Sequence, residues 1–396
     1  MTVPSTEIDG GPELVRSLIS EFLQEHDPAR LEPRDFFAAQ FDAGLARVDW
    51  PRGRGGLDLD ARLQRSVDED LRSAGAKSAV MRNPLGVGMG IPTLLRHGTP
   101  EQLDRFVRPC FTTDELWCQL FSEPGSGSDL AGLATAAVRD GDDWIVNGQK
   151  LWTSMGHVAS VGMLLARTAP DAPKHRGLSF FLVEMDSPGV EVRPVMDMTG
   201  DSKFNEVFLT DVRVPDRWRV GTPGDGWSIA MTTLQNERVV LSGEGSGPSN
   251  VGGGRVEYLI DRARSGGQWQ DPLVRQQLMA CLTTARVIRY TNQRAAAARK
   301  AGQPGPHGSV TKLMQGLYNR RLQELAVDLG GPAGIAWRPG AEAETVAKGF
   351  LRAQSNTIAG GTTNILRNTI GERLLGLPKE PGYPSSTPWN ELPRNG

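Results

Sequence analysis

Residues 119–132 read Gln-Leu-Phe-Ser-Glu-Pro-Gly-Ser-Gly-Ser-Asp-Leu-Ala-Gly, and this stretch narrows the fold and the function more than any other. Between Phe121 and Asp129 lie two glycines, three serines and one proline. The backbone can therefore approach a ligand closely, and small hydroxyls can meet polar or anionic groups. A glycine loop of the Rossmann type would run straight into an apolar helix. Here short alternating runs surround an Asp140-Gly141 turn, which predicts a loop that leads into a β-hairpin.

A second polar segment follows at residues 147–154, Asn-Gly-Gln-Lys-Leu-Trp-Thr-Ser. The Asn147-Gly148 pair predicts another hairpin turn, after which an aromatic residue and two adjacent hydroxyls appear. Either segment alone could be an ordinary turn, because glycine-rich turns are common. Two such segments in succession favour a ligand site.

Composition is typical of a large enzyme with no electrostatic attraction to nucleic acid or anionic membranes. The chain has 396 residues, 44 basic and 46 acidic side chains and a net charge of -2. Its three cysteines, Cys110, Cys118 and Cys281, and its five scattered histidines show no ligand spacing, so we expect no metal site. The N-terminus has no targeting pattern and no run is apolar enough to span a membrane. We therefore expect a cytoplasmic protein.

Hydrophobic periodicity divides the chain into four regions. Residues 1–116 are predicted to be a helical domain, in which Thr99-Pro100-Glu101-Gln102 has the pattern of a capped helix start. Residues 117–223 contain short apolar or alternating runs between Gly, Pro and Asp, which predict a compact β domain. Helical periodicity returns over 224–380 and predicts a bundle, and 381–396 is predicted to be a loose tail. The expected fold is mainly α with a central β domain.

One carboxylate stands out in the helix that opens the bundle. Glu237 lies three residues after Leu234 and four before Leu241, so it points along an apolar seam. A carboxylate there costs free energy unless it is paired or used in chemistry, and burial would raise its pKa toward that of a general base. The spacing leaves two readings open: a general base, or a structural ion pair with a bundle arginine such as Arg286 or Arg320.

With these motifs the chain resembles the acyl-CoA dehydrogenase family. The resemblance implies an N-terminal helical domain, a middle β-barrel and a C-terminal four-helix bundle that bind FAD and an acyl-CoA. In the family, the segments that match these two polar stretches line the flavin, and Ser128 also faces the acyl-CoA. The flavin-side residues implied in this way are Gln119, Phe121, Ser122, Gly127, Ser128, Trp152, Thr153 and Ser154.

The resemblance also bears on the base. Most family members carry the catalytic glutamate in a later motif, which here reads Ile-Ala-Gly-Gly-Thr-Thr-Asn-Ile over residues 358–365 with Gly360 at the glutamate position. The isovaleryl and long-chain types carry it in a Glu-Arg pair of the bundle helix, which matches Glu237 and Arg238. By resemblance, Glu237 is the base, Arg238 lies on the substrate side, and the backbone N–H of Gly360 polarises the thioester carbonyl.

Three further residues are implied on the FAD side. Thr362 and Asn364 match family contacts to FAD, although Asn364 could equally be part of a plain helix cap. The arginine that grips the pyrophosphate is followed by Phe-Gly in many relatives, whereas this chain has Arg264 followed by Ser-Gly. Arg264 is therefore either a stand-in for that residue or a solvated charge at a helix end. Glu244 is a reserve candidate for the base.

The predicted activity is FAD-dependent α,β-dehydrogenation of an acyl-CoA thioester to the 2,3-enoyl-CoA, in fatty acid or steroid side-chain metabolism. An electron-transfer flavoprotein or similar acceptor would reoxidise the flavin. The resemblance implies a homodimer or homotetramer, or a mixed tetramer, because the family builds each FAD site partly from a neighbouring subunit. Two alternatives stay open: an oxidase or monooxygenase of the same fold, and a non-catalytic subunit of a mixed assembly.

Overall fold

A computed structural model describes residues 11–242, 255–301, 305, 307–335 and 342–393. The chain forms two compact units. The first combines Met1–Val195, Phe204–Asn236 and Ser386–Gly396, and the second combines Met196–Lys203 with Glu237–Ser385.

The first unit begins with helices that bury one apolar face each. In the first of them Val15, Ile19 and Phe22 recur at helical spacing and are at most 5% exposed. The predicted capping box is confirmed: Thr99 Oγ1 accepts from the N–H of Gln102, and the Gln102 side chain accepts from the N–H of Thr99. These helices are α1 (Gly11–Glu25), α2 (Pro33–Asp42), α3 (Gln64–Ser73), α4 (Ala79–Arg82), α5 (Ile91–His97) and α6 (Pro100–Thr112).

An eight-stranded sheet follows, so the predicted central β domain is confirmed. Its strands are β1 (Trp117–Leu120), β2 (Ala136–Asp140), β3 (Asp143–Ser154), β4 (Val161–Arg167), β5 (Leu178–Glu184), β6 (Val190–Val195), β7 (Phe204–Pro215) and β8 (Arg219–Val220). The order is β6-β7-β3-β2-β4-β5-β8, and β1 pairs in parallel with β4. Residues 122–132, the glycine-serine loop, connect β1 to β2 and so lead into the β2–β3 hairpin as predicted.

The hairpin turn predicted at Asn147-Gly148 is wrong. Both residues lie inside the 12-residue strand β3, where the pairing with β7 shifts register beside Gly148. A glycine within a strand commonly marks such a bulge or a close backbone approach. A side chain at Gly148 would meet Thr135 at 2.4 Å, which explains the glycine, and the Asn147 side chain bonds to Asp211 on β7.

The second unit is helical. Its helices share a core that includes Leu278 and Cys281, and Ile288 of the predicted stripe is also buried. They are the C-terminal part of α7 (Gly226–Ser242), whose first half belongs to the first unit, then α8 (Val256–Ser265), α9 (Pro272–Lys300), α10 (His307–Gly330), α11 (Glu342–Ala353) and α12 (Thr363–Arg373).

Two further observations concern the predicted loose tail and the prediction that no segment spans a membrane. The tail was expected to be loose, whereas Trp389 is 7% exposed and hydrogen-bonds to the β domain through backbone and side chain. Among the described residues, no helix combines the length and the apolar character needed to cross a membrane.

Candidate functional site

The two polar segments singled out in the sequence lie side by side in the first unit. The N–H of Leu151 on β3 donates to the carbonyl oxygen of Ser122 at 2.8 Å, which joins the start of the glycine-serine loop to the second segment. Gln119 lies half-buried on β1, and Phe121 is buried with its ring packed edge-to-face on Phe180 at 5.9 Å. A rigid sheet thus fixes the point from which the loop leaves.

A buried lysine fastens this junction. Lys150 on β3 is fully buried, and its Nζ donates to Glu123 Oε1 at 2.8 Å and to the carbonyl oxygens of Phe121 and Leu165 at 3.1 and 2.9 Å. All three ammonium protons therefore have acceptors, which a buried charge requires. The sequence reasoning missed this residue, although the inward-facing alternation of β3 places a lysine among apolar positions.

The partner carboxylate closes the loop on itself. Glu123 accepts from Lys150 and also from the backbone N–H groups of Ala134 and Thr135, at 2.7 and 2.9 Å. Burial alone would raise the pKa of Glu123, but the charge and hydrogen bond of Lys150 outweigh it, and the pKa lies below its ordinary value. The carboxylate therefore stays ionised and holds both ends of the loop together.

The other segment exposes an aromatic ring through an irregular strand. The pairing of β3 with β7 shifts register between Lys150 and Thr153, and Trp152 within this bulge has a positive φ of 61°. A positive φ is uncommon for a bulky residue and marks a strained position. Trp152 is 56% exposed and packs edge-on against Phe204 at 5.7 Å. The bulge turns a large ring outward at the end of the strand.

Several hydroxyls around this junction are available to a ligand. Among the described residues, the side chains of Ser122, Ser128 and Ser154 have no hydrogen-bond partner, and the buried Thr153 Oγ1 has none either. A Cβ at Gly127 would meet no atom within 4 Å, so the loop presents open backbone there. Open backbone, uncommitted hydroxyls and an exposed indole fit the edge and face of a flat polar ring such as a flavin.

The second unit contains the other predicted residues. Gly360 and Gly361 have φ values of 66° and 99°, a conformation that favours glycine. They precede Thr362, whose side chain caps α12 by accepting from the N–H of Ile365 at 3.3 Å. The cap of this helix is thus Thr362, while Asn364 lies one residue inside it and accepts weakly from an exposed arginine.

Arg264 lies in the last turn of α8, which is where a basic side chain stabilises a helix end. Its side chain is 59% exposed, and its guanidinium lies 4.9 Å from the ring centroid of Trp269 and 3.7 Å from Asp261. This environment is typical of a solvated charge at a helix end, and it also leaves the guanidinium accessible to a phosphate. Its role as the pyrophosphate contact stays a prediction.

The residues that carry the predicted acid–base chemistry are described only in part. The backbone of Glu237 and Arg238 lies in α7, so the predicted helical placement is confirmed, but their side chains lie outside the described part of the structure. Glu244 lies outside the described residues altogether. Their roles stay predictions.

Comparison with known families gives three matches that together cover most of the chain. The N-terminal domain of acyl-CoA dehydrogenase matches residues 12–114, its middle domain matches 118–212, and its C-terminal domain matches 224–375.

Individual relatives agree with these matches. The chain is 40% identical over 338 residues to acyl-CoA dehydrogenase IpdE1 of Mycobacterium tuberculosis, covering 85% of this chain and 86% of that protein. It is 43% identical over 342 residues to acyl-CoA dehydrogenase FadE34 of the same organism, but these cover 85% of this chain and only 45% of FadE34. A solved structure described as a Tcur3481-Tcur3483 steroid ACAD has a TM-score of 0.73 at 26% identity, covering 96% of this chain and all of that one.

Proposed function

Because this chain belongs to the acyl-CoA dehydrogenase family of oxidoreductases, we propose that it binds FAD and converts an acyl-CoA thioester to the 2,3-enoyl-CoA. The observation that supports this most is the junction in the first unit. There a glycine-serine loop held by the buried Lys150–Glu123 pair lies beside a strand that turns Trp152 outward.

We assign the residues of this junction to the cofactor. The hydroxyls of Ser122, Ser128 and Ser154 are free to bond to flavin oxygen and nitrogen atoms, and the exposed ring of Trp152 can cover one edge of the flavin. When bound, FAD accepts the hydride from the substrate β-carbon. We propose that the rest of FAD contacts Arg264, Thr362 and Asn364. Arg264 suits the pyrophosphate because its side chain is exposed and cationic.

Removal of the α-proton needs a base and a donor to the thioester oxygen. We assign Glu237 as the base that removes the α-proton, with Arg238 on the substrate side. The backbone N–H of Gly360 would donate to the thioester oxygen as negative charge develops there, which lowers the pKa of the α-carbon. The φ of 66° explains why a glycine is suited to this position, and the role of its N–H is our proposal.

The substrate class and the assembly follow from the relatives as proposals. One structural neighbour is described as a steroid ACAD, so we propose a polycyclic acyl-CoA as substrate. The same description carries two protein names, so we propose a mixed tetramer as one form of the enzyme, with a homodimer or homotetramer as the other. An electron-transfer flavoprotein or similar acceptor would take the electrons onward.

An anaerobic titration with acyl-CoAs tests the activity. Steroid-derived, aromatic, branched and straight-chain thioesters are added separately to the purified protein, and flavin absorbance is followed near its visible maximum. We expect bleaching by one class. Glu237→Gln should bind the same thioester but bleach at least 10³-fold more slowly, of the order seen when a group acting in the transition state is lost.

Glu324→Gln is the matched control, because Glu324 is a half-exposed bundle glutamate 3.9 Å from Arg320. It should bleach at the wild-type rate. Normal bleaching by Glu237→Gln would overturn the assignment of the base.

The same protein distinguishes the alternatives. Steady oxygen consumption with peroxide release would favour an oxidase or monooxygenase. A colourless protein that takes up no added FAD, alone or with a second chain of the family, would favour a non-catalytic subunit.

A further inference from the structure

The C-terminal segment, residues 386–393, lies on the β4–β5 hairpin. The N–H groups of Trp389 and Asn390 donate to the carbonyl oxygens of Ala172 and Pro170 at 3.0 and 3.1 Å, and the Asn390 amide donates to Asp171 at 2.6 Å. Three hydrogen bonds therefore fix this segment in one place against the connection between two buried strands.

From that position Trp389 contacts the glycine-serine loop. The ring is 7% exposed, and Nε1 donates at 3.1 Å to the carbonyl oxygen of Gly132, which is 257 residues away in sequence. A buried indole commonly fills apolar space while its N–H satisfies one specific acceptor. Here that acceptor is at the last residue of the loop.

The same ring covers a buried arginine that grips the loop end. The Arg167 guanidinium lies 4.3 Å from the centroid of Trp389, and Arg167 is 3% exposed. It donates to the carbonyl oxygens of Ala131 and Leu133 at 2.6 and 3.1 Å, and to that of Lys174 at 3.1 Å. Trp389 thus excludes water from a cation that organises the backbone on both sides of Gly132.

The segment also forms one wall of a cleft of about 340 Å³. Residues of the loop, among them Pro124, Ser126 and Gly132, also line this cleft, together with Lys174 and Trp389. We propose that residues 386–393 act as a C-terminal clamp that holds the glycine-serine loop in its ligand-binding conformation, with Trp389 as the positioning residue.

This inference rests on the proposed function insofar as the ligand is FAD. The expected effect on the cofactor is about a tenfold loss of FAD affinity in Trp389→Ala, because one backbone hydrogen bond and one cation–π contact are removed from the loop support. Trp389→Phe keeps a ring over Arg167 but loses the bond to Gly132, so we expect a loss of about threefold.

The test combines hydrogen exchange with FAD titration. Exchange is measured on apo and FAD-loaded protein, and FAD affinity is measured by flavin fluorescence. In Trp389→Ala we expect amides of residues 126–135 to exchange about tenfold faster, while those of α6 stay unchanged. Tyr383→Ala is the matched control, since it removes a 66% exposed ring from the same part of the chain. It should change neither reading.

Hydrogen exchange and FAD affinity together distinguish a failure of the clamp from a failure of the proposed function. Unchanged loop exchange in both Trp389 variants, or an equal rise in α6, would overturn the clamp, and so would faster loop exchange with unaltered FAD affinity. If the wild type binds no FAD at all, the proposed function fails, and the exchange of the apo-protein still decides whether the clamp holds the loop.

Discussion

Replacing Lys150 by methionine tests the physical basis of the candidate site. The substitution keeps the length and volume of the side chain but removes a fully buried charge. It leaves the 9% exposed carboxylate of Glu123 without its cation and removes the hydrogen bonds that Nζ donates to the carbonyl oxygens of Phe121 and Leu165. Breaking one side of a buried pair costs about 3–5 kcal/mol. Glu123 keeps two backbone donors, so we expect about 3 kcal/mol.

The measurement is the urea midpoint of the first unit, followed by tryptophan fluorescence. Arg213→Met in the same unit is the control: its ion pair with Asp140 has the same 2.8 Å length, but the arginine side chain is 56% exposed. An exposed pair contributes less than about 1 kcal/mol. The double variant Lys150→Met with Glu123→Gln should be at least about 1 kcal/mol more stable than the sum of the single changes predicts, because it leaves no unpaired buried charge.

Two results would refute this reasoning. One is a loss of stability in Lys150→Met no larger than that in Arg213→Met. The other is strict additivity of the single changes in the double variant, which would mean that Lys150 and Glu123 do not stabilise one another.

Two further predictions concern the same loop. The pKa of Glu123 is lower in the folded protein than in the unfolded chain. Its contribution to stability is therefore complete above the unfolded pKa of about 4.3 and is lost as pH falls through the folded pKa. Between pH 5 and 3 the urea midpoint of Glu123→Gln should fall less steeply than that of the wild type. Gly127→Ala should leave the urea midpoint unchanged because its Cβ meets open space, yet weaken FAD binding in a fluorescence titration if the cofactor approaches this backbone. Gly162→Ala, whose Cβ would lie 2.5 Å from Leu120, should instead lower the free energy of unfolding by about 1–3 kcal/mol and with it the urea midpoint, and the opposite pattern would contradict both assignments.

Local patterns predicted those parts of the fold that neighbouring residues determine. The capping box at Thr99 needs only residues within one helical turn, and the β2–β3 hairpin needs only the positive φ of Gly141, at 63°. The same local reasoning failed at Asn147-Gly148. A glycine that permits a turn also permits a bulge, and the choice depends on β7, which pairs with this strand from about sixty residues further along the chain.

The candidate site also combines residues that short sequence motifs indicate with residues that only the fold brings together. The residues that we propose for the ligand could be singled out from the sequence, because glycines, serines and a tryptophan stand together in two short motifs. The residues that support them could not. Lys150 and Glu123 are separated by 27 positions, and Trp389 lies 257 positions from Gly132, so their contacts exist only after the sheet has formed.

The support of the loop is itself evidence about function. Lys150 and Arg167 are both buried, and both bond chiefly to carboxylate or backbone oxygens at the two ends of the glycine-serine loop. Buried cations are a weak source of stability, since well-packed apolar residues of similar volume often serve as well or better. Directional bonds to backbone oxygens do what apolar packing cannot: they select one conformation of a glycine-rich loop among many. A loop that only connected two strands would have no need of such selection, whereas a loop that must place hydroxyls against a cofactor would.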